Sequence, residues 1–304
     1  MNLPIYTLSV ALVSASCFAQ TTSAGGSAPA RPAIVGVAHI ALRTDKLAAA
    51  REFYGTMLGF EELSPANNFI AYFKINDQQY VEISPELIHP RQDRLLHIAF
   101  ETSDAEQLRA YLAAHGVRVP QNLSPIPDGN RGFHVQDPDG HDVLFLEYVP
   151  GSLESRRRGS LLPDSRISQR MIHVGVVVSD RAAADRFYKD VLGFQEIWHG
   201  GMKEDQTDWV DMRVPEGTDW LEYMLNVHDP DPQRLGVMHH LALGVPSVKA
   251  GYEQLLKRGM KLQGKPQIGR DGKWQLNLYD PNYTRVELME PKPVRTPCCS
   301  PIRQ

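Results

Sequence analysis

"HVGVVVSDRAAADRFYKDVLGF", His173 to Phe194, occurs a second time with variation as "HIALRTDKLAAAREFYGTMLGF", His39 to Phe60. Both stretches open on His, carry AAA and FY at matching places, and close on LGF. A second kind of repeat follows each. "HIAFETSDAEQLRAYLAAHGV", from His97, aligns without a gap with "HLALGVPSVKAGYEQLLKRGM", from His240. In that register Gly116 meets Gly259, Asp128-Gly129 meets Asp271-Gly272, and Asp137-Pro138 meets Asp280-Pro281. Internal repetition has to be resolved before any fold is read. Here it divides the chain into four units, beginning near Ala33, Leu95, Met171 and Val237.

Each unit has one grammar. A short β-rich run (Val37–Leu42, Ile172–Val178) leads into a helix-compatible segment with FY or YL on its apolar face, and a Gly stands where a left-handed helix cap prefers it. Short alternating segments follow, such as "QYVEIS" and "WLEYMLNV", and "DPDG" (Asp137–Gly140) separates the last strands of the second unit. The unit is therefore β-α-β-β-β and the fold class α+β. Units one and two make residues 33–150, units three and four make residues 169–291, and the polar, Gly- and Pro-broken stretch 151–168 links them. Residues 292–304 form a tail.

Composition narrows the function. With 304 residues, a net charge of −4 and near-average apolar content, the chain suits two packed domains and offers no basic surface for nucleic acid. The Arg156-Arg157-Arg158 run falls in the linker and is expected to be solvated. "LPIYTLSVALVSASCFA" (residues 3–19) is uncharged and ends in small residues, so residues 1–19 are expected to be a secretory signal peptide cleaved after Ala19. Residues 20–32 then read as a flexible leader, and the mature protein is expected to be periplasmic or secreted, with no membrane attachment. Apart from Cys17, the only cysteines are Cys298 and Cys299 in the tail, too few for a disulfide framework.

Strand alternation indicates which side chains point together. In "MIHVGVVV", Ile172, Val174 and Val176 are expected under the helix, with His173 and Gly175 on the other face. In "MHHLALGV", Leu241 and Leu243 fill the packed face and His240 stands opposite, while His239 has the wrong parity. Glu222 opposes its neighbours in "WLEYML", as Glu287 opposes Val286 and Leu288 in "RVELME". Trp209, Trp220, Tyr223 and Trp274 are expected to supply an aromatic pocket wall in the second half.

Paired βαβββ units with an opening His, an LGF after the first helix and DP-x-x-x-R-V-E in the last strand resemble the vicinal oxygen chelate superfamily, which includes glyoxalase I, extradiol dioxygenases and bleomycin-resistance proteins. The resemblance covers residues 33–291. It implies two cupped half-barrel domains, with metal held on the first and last strands of both units of a half. Carried over residue by residue, the ligands are His173, Glu222, His240 and Glu287. The equivalents in the first half are His39, Glu82, His97 and Leu144; the first three could still make a two-His, one-carboxylate face of the non-haem iron kind, but that half is expected to be a degenerate site serving as scaffold. Two imidazoles and two carboxylates suit a divalent ion (Fe, Mn, Co, Ni or Zn) with positions open for substrate oxygens. The implied function is that of a metal-dependent lyase or isomerase of glyoxalase type, acting on a small molecule chelated through neighbouring oxygens, with Glu222 or Glu287 as base. One alternative is an Fe(II) extradiol dioxygenase ligated by His173, His240 and Glu287 only. Its second-layer His is missing from "GKWQLNLYDPNY". The other is a binding protein without catalysis.

Overall fold

In the computed structural model, residues 29–63 and 69–303 are described. The expected signal peptide lies outside them, as do residues 20–28 of the expected leader. In the first half, the strands are β1 (Ile34–Arg43), β2 (Glu61–Glu62), β3 (Ala71–Lys74), β4 (Tyr80–Ser84), β5 (Leu95–Thr102), β6 (Ser124–Pro125), β7 (Arg131–Gln136) and β8 (Asp142–Glu147). They form one sheet in the order β2-β3-β4-β1-β5-β8-β7-β6. The second half repeats the pattern with β9 (Arg170–Val177), β10 (Gln195–Gly200), β11 (Trp209–Arg213), β12 (Trp220–Met224), β13 (His240–Gly244), β14 (Gln267–Ile268), β15 (Trp274–Tyr279) and β16 (Arg285–Met289). Their order is β10-β11-β12-β9-β13-β16-β15-β14. The fold is thus two eight-stranded curled sheets of α+β class, four βαβββ modules paired in two half-barrels.

The first strands of paired units lie side by side at each sheet's centre, β1 antiparallel to β5 and β9 antiparallel to β13. Each is flanked by the last strand of its own unit, running parallel: β4 beside β1, β12 beside β9, β8 beside β5 and β16 beside β13. First and last strands therefore occupy the middle of the cup. The helices cover the other face, where Val174, Val176, Leu241, Leu243, Val286 and Leu288 are buried in the core.

The LGF motif ends the first helix of each half. That helix begins with an α-helical turn (Leu47–Ala50; Arg181–Ala184) and continues in wider π-helical turns (Arg51–Met57; Asp185–Val191). Gly59 and Gly193 then take φ of +80° and +82°, a conformation costly for a residue with a Cβ. Phe60 N–H and Phe194 N–H donate back to the Tyr54 and Tyr188 carbonyls, and both Phe rings are buried.

The FY and DP motifs meet across the halves. The Tyr54 hydroxyl donates to Asp280 Oδ2 at 3.2 Å, and the Tyr188 hydroxyl to Asp137 Oδ2 at 3.0 Å. Each Asp also ties its own turn, Asp280 accepting from the Asn282 and Thr284 amides and Asp137 from the Asp139 and His141 amides. Gln79 adds a central clasp, donating to the Val37 and Met171 carbonyls at 3.0 and 2.9 Å and accepting from Met171 N–H at 2.9 Å. The linker carries a short helix, Leu153–Arg156, and Arg156, Arg157 and Arg158 are exposed as expected.

One expectation about β9 fails. Ile172 packs on the cup side with Trp220, Ala242 and Met289, not under the helix. The pairing of β9 with β13 slips between Ala242–His173 and Leu243–Met171, so a bulge at Ile172 breaks the simple alternation.

Candidate metal centre

Register brings the four second-half residues together. On β9, His173 pairs with Trp220 of β12 and Ala242 of β13; two residues on, Gly175 pairs with Glu222 and His240. Glu287 pairs with Ala242 on the far side of β13. All four side chains project into the cup. His173 Nε2 lies 3.1 Å from His240 Nε2, His240 Nε2 lies 3.1 Å from Glu222 Oε2, and His173 Nε2 lies 3.8 Å from Glu287 Oε2. Ligand atoms of His173, Glu222 and His240 fall within 4.8 Å of one another; Glu287 is not in that group but lies against His173.

Gly175 makes room for this arrangement. A Cβ there would stand 2.0 Å from His240 Cε1, so any side chain would drive the imidazole away. His240 Nδ1 is 2.7 Å from the Met238 carbonyl, which fixes its proton on Nδ1 and leaves Nε2 as a lone pair in the cup. His173 Nδ1 is buried without a hydrogen-bond partner among the described residues. Burial holds both imidazoles well below the usual histidine range, so they are neutral bases rather than cations. Two uncharged ring nitrogens facing each other beside two carboxylates form a donor set that suits a divalent cation.

Burial pushes Glu287 up to about 8; Arg285 opposes the shift and Glu222 adds to it. Burial likewise drives Asp211 well above the usual carboxylate range, helped by Glu222, its cross-strand partner. The Arg285 guanidinium lies 2.9 Å from the ring nitrogens of His240 and 3.9 Å from Glu222. A pocket of about 380 Å³ opens onto these groups. Within it, Asp211 Oδ1, Trp220 Nε1, Asn277 Oδ1 and Arg285 Nε are buried without partners among the described residues, a concentration that marks a site built for a ligand.

The aromatic wall differs from expectation. Trp209 and Trp220 line the pocket, together with Trp198. Tyr223 and Trp274 do not: Tyr223 is buried in the core beside Tyr188, and Trp274 packs on the helix side under Lys249. Alternation explains both, since Glu222 faces the cup, as do Gln275 and Asn277. Sequence reasoning missed Trp198, Asp211, Arg285 and Lys273. Parity with Glu287 was a readable sign for Arg285. Asp211 depends on pairing with Glu222, and the Lys273 ammonium on folding over Trp220 at 4.8 Å while 3.2 Å from Asp271. In the tail, a bridge between the neighbouring thiols was one of the options the sequence left open; its place at the pocket was not. Cys298 and Cys299 form a disulfide, and the Cys298 carbonyl accepts from Trp198 Nε1 while Cys298 N–H donates to the Arg270 carbonyl, tying together two segments at the pocket rim.

The first half keeps three of its four positions. His39 Nε2 lies 2.8 Å from His97 Nε2 and 3.8 Å from Glu82 Oε2, and the trio is as compact as its counterpart. Burial lowers both imidazoles, His97 to about 4, and raises Glu82 to about 8. Leu144 is buried among Ala38, Ala99 and Leu146. Glu147 does not replace it: its carboxylate accepts from Ala105 N–H at the start of the helix Ala105–Ala114, as Glu290 accepts from Val248 N–H.

The sequence model of the Glyoxalase/Bleomycin resistance protein/Dioxygenase superfamily matches residues 36–145 and again 170–288. The chain belongs to that superfamily. No curated protein sequence matches significantly. Among solved structures, the Mn(II)-bound glyoxalase from Novosphingobium aromaticivorans aligns with a TM-score of 0.65 at 19% identity, covering 85% of this chain and 83% of that one. The 2,3-dioxygenase LapB from Pseudomonas sp. KL28 aligns at 0.68 and 16% identity, covering 88% and 97%. Homoprotocatechuate 2,3-dioxygenase from Arthrobacter globiformis aligns at 0.65 and 19%, covering 87% and 82%. No helix among the described residues is long and apolar enough to cross a membrane.

Proposed function

We propose that the second half binds one divalent metal ion through His173, Glu222, His240 and Glu287 and catalyses proton-transfer chemistry, of lyase or isomerase type, on a small substrate presenting neighbouring oxygens. The observation that carries this reading is the approach of Glu222 to His240 Nε2, 3.1 Å, which makes a fourth donor of a residue that a three-ligand dioxygenase site leaves out. When bound, such an ion supplies Lewis acidity that stabilises an enolate as its charge develops. Glu222 serves as the base. Both carboxylates line the pocket, but the Glu222 side chain is 13% exposed against 6% for Glu287, so it is the more accessible of the two, while Glu287 stays against His173. The Arg285 cation stands where it offsets negative charge on substrate oxygens. Trp198, Trp209 and Trp220 exclude water around them.

Glu222→Gln is the test. Turnover on a dicarbonyl or hydroxycarbonyl panel, read as solvent deuterium incorporation, is expected to fall by about 10²–10⁴-fold while most metal is retained. The layout shared with two dioxygenases supports a second reading, Fe(II)-dependent ring cleavage with His173, His240 and Glu287 as ligands. Oxygen uptake with a catechol panel separates the two. Iron-dependent uptake that survives Glu222→Gln would favour ring cleavage and remove the first reading. We also propose export, supported by the uncharged apolar run of residues 3–19. Mass spectrometry of the native protein is expected to find the chain starting after Ala19. A retained Met1 in a cytoplasmic fraction contradicts export.

A further inference from the structure

The two halves differ at three matched positions around the lost ligand, and the three changes belong together. The gapless register sets Leu144 against Glu287, His134 against Asn277, and Asp142 against Arg285. Across the sheet, His134 of β7 stands directly opposite Leu144 of β8, as Asn277 stands opposite Glu287. Residues directly opposite on paired strands project from the same face with neighbouring Cβ atoms. The half that lacks a carboxylate on its last strand therefore carries an imidazole one strand away, on the cup side.

That imidazole is oriented. Its ring meets the His97 ring edge to face, with centroids 5.5 Å apart and planes at 88°. Asp142 holds His134 Nδ1 at 3.0 and 3.1 Å through its two carboxylate oxygens. A carboxylate accepting from Nδ1–H leaves Nε2 as the free base, the outer support that metal-binding histidines generally have. In the second half the same position holds Arg285, which cannot accept a hydrogen bond. The compact trio of His39, Glu82 and His97 thus has a further imidazole against His97, outside the 4.8 Å within which the trio's own donor atoms fall.

We propose that the first half holds its own divalent ion through His39, Glu82, His97 and His134, with Asp142 as the outer partner of His134. Three imidazoles and one carboxylate make a four-donor set of the kind zinc takes. The mouth of this half points to a structural ion rather than a catalytic one. Leu153 and Leu161 of the linker pack over Leu63, Tyr72 and Tyr80, and the Tyr80 hydroxyl donates to Asp128 at 2.8 Å while its ring stacks on His39 at 4.4 Å. The linker thus packs on the aromatic residues beside His39, and His39, Glu82 and His97 are all buried, whereas the second half keeps a pocket of about 380 Å³ over its donors. A structural metal site uses protein donors in every position.

The test is the metal content and zinc affinity of the full mature chain, with far-ultraviolet circular dichroism to confirm folding. Wild type equilibrated with Zn²⁺ is expected to hold two ions and His240→Ala one. In the His240→Ala background, Zn²⁺ titration reads the first half alone. There His134→Gln is expected to weaken binding by at least about tenfold, and Asp142→Asn by about 10–100-fold, as loss of an outer partner does. Co²⁺ in the same background is expected to give the visible bands of a four-coordinate ion, weakened by His134→Gln. One ion in wild type and none in His240→Ala would overturn the proposal, as would zinc affinity untouched by both His134→Gln and Asp142→Asn. A single wild-type ion that survives His240→Ala and is lost in His97→Ala supports this site and sinks the second-half site instead.

Discussion

Gly175 and Glu222 show how single residues decide the second-half site. Gly175 has no conformational need to be glycine; what it supplies is the space taken by the His240 ring. Gly175→Ala is therefore expected to displace His240 and cut metal affinity sharply, at a stability cost of about 1–3 kcal/mol, the usual range for overpacking. Metal titration and urea denaturation check both parts; undiminished affinity would mean that His240 is not held as described. At this scale the sequence was most legible for groups whose position follows from strand parity, hence His173, Glu222, His240 and Glu287. It was mute about Asp211 and Trp198, whose neighbours are set by pairing between strands that alternation cannot reveal.

Between elements, the FY and DP motifs form the same joint twice, and each joint places a hydroxyl on a buried carboxylate of the other half. Tyr54→Phe and Tyr188→Phe are each expected to cost about 1–3 kcal/mol, because an acceptor is left short of a partner. The two joints share no partner, so the double variant should show near-additive losses. Unchanged urea midpoints would mean the joints carry no stability. The joint at Asp137 also carries a pH signature. Burial pushes Asp137 up, but His141 hydrogen-bonded to it at 2.8 Å outweighs this and holds it below the usual range. Burial lowers His141, and Asp137 outweighs that in turn, so its net shift is upward. The carboxylate's contribution is present above its unfolded value and lost as pH falls; the imidazole's is present below its unfolded value and lost as pH rises through the folded one. The pair should stabilise most between about pH 4 and 6.5. The stability gap between wild type and His141→Gln is expected to peak there and shrink toward pH 3 and pH 9. A gap independent of pH would remove the pairing. Sequence repetition made these motifs visible as landmarks, yet their partners lie in the opposite half, at distances of 226 and 51 residues along the chain. The bulge at Ile172 was hidden for a similar reason, since it exists only relative to β13.

The whole molecule is a duplication of a duplication, and that alone made the architecture legible before any side chain was placed. Each sheet buries an apolar face under its own helices, so the fold should not depend on metal. Chelation is expected to leave the far-ultraviolet spectrum intact while lowering the melting temperature in step with lost occupancy; an ion at a hundred times its Kd adds about 2.7 kcal/mol. Collapse of the spectrum at room temperature on chelation would contradict this. Duplication also explains what was not legible. Copies that share a scaffold can differ at the cup, and the second half carries Arg285 and a tail-bound rim where the first carries His134, Asp142 and linker leucines packed on Tyr72 and Tyr80. The central claim is that the second cup is a metal site with Glu222 among its donors. Anomalous diffraction from crystals grown with Mn²⁺ tests it most directly. The account predicts a peak bounded by His173 Nε2, His240 Nε2, Glu287 and Glu222, all four within bonding distance. A peak with Glu222 turned away, or no peak in the second cup at all, would contradict it.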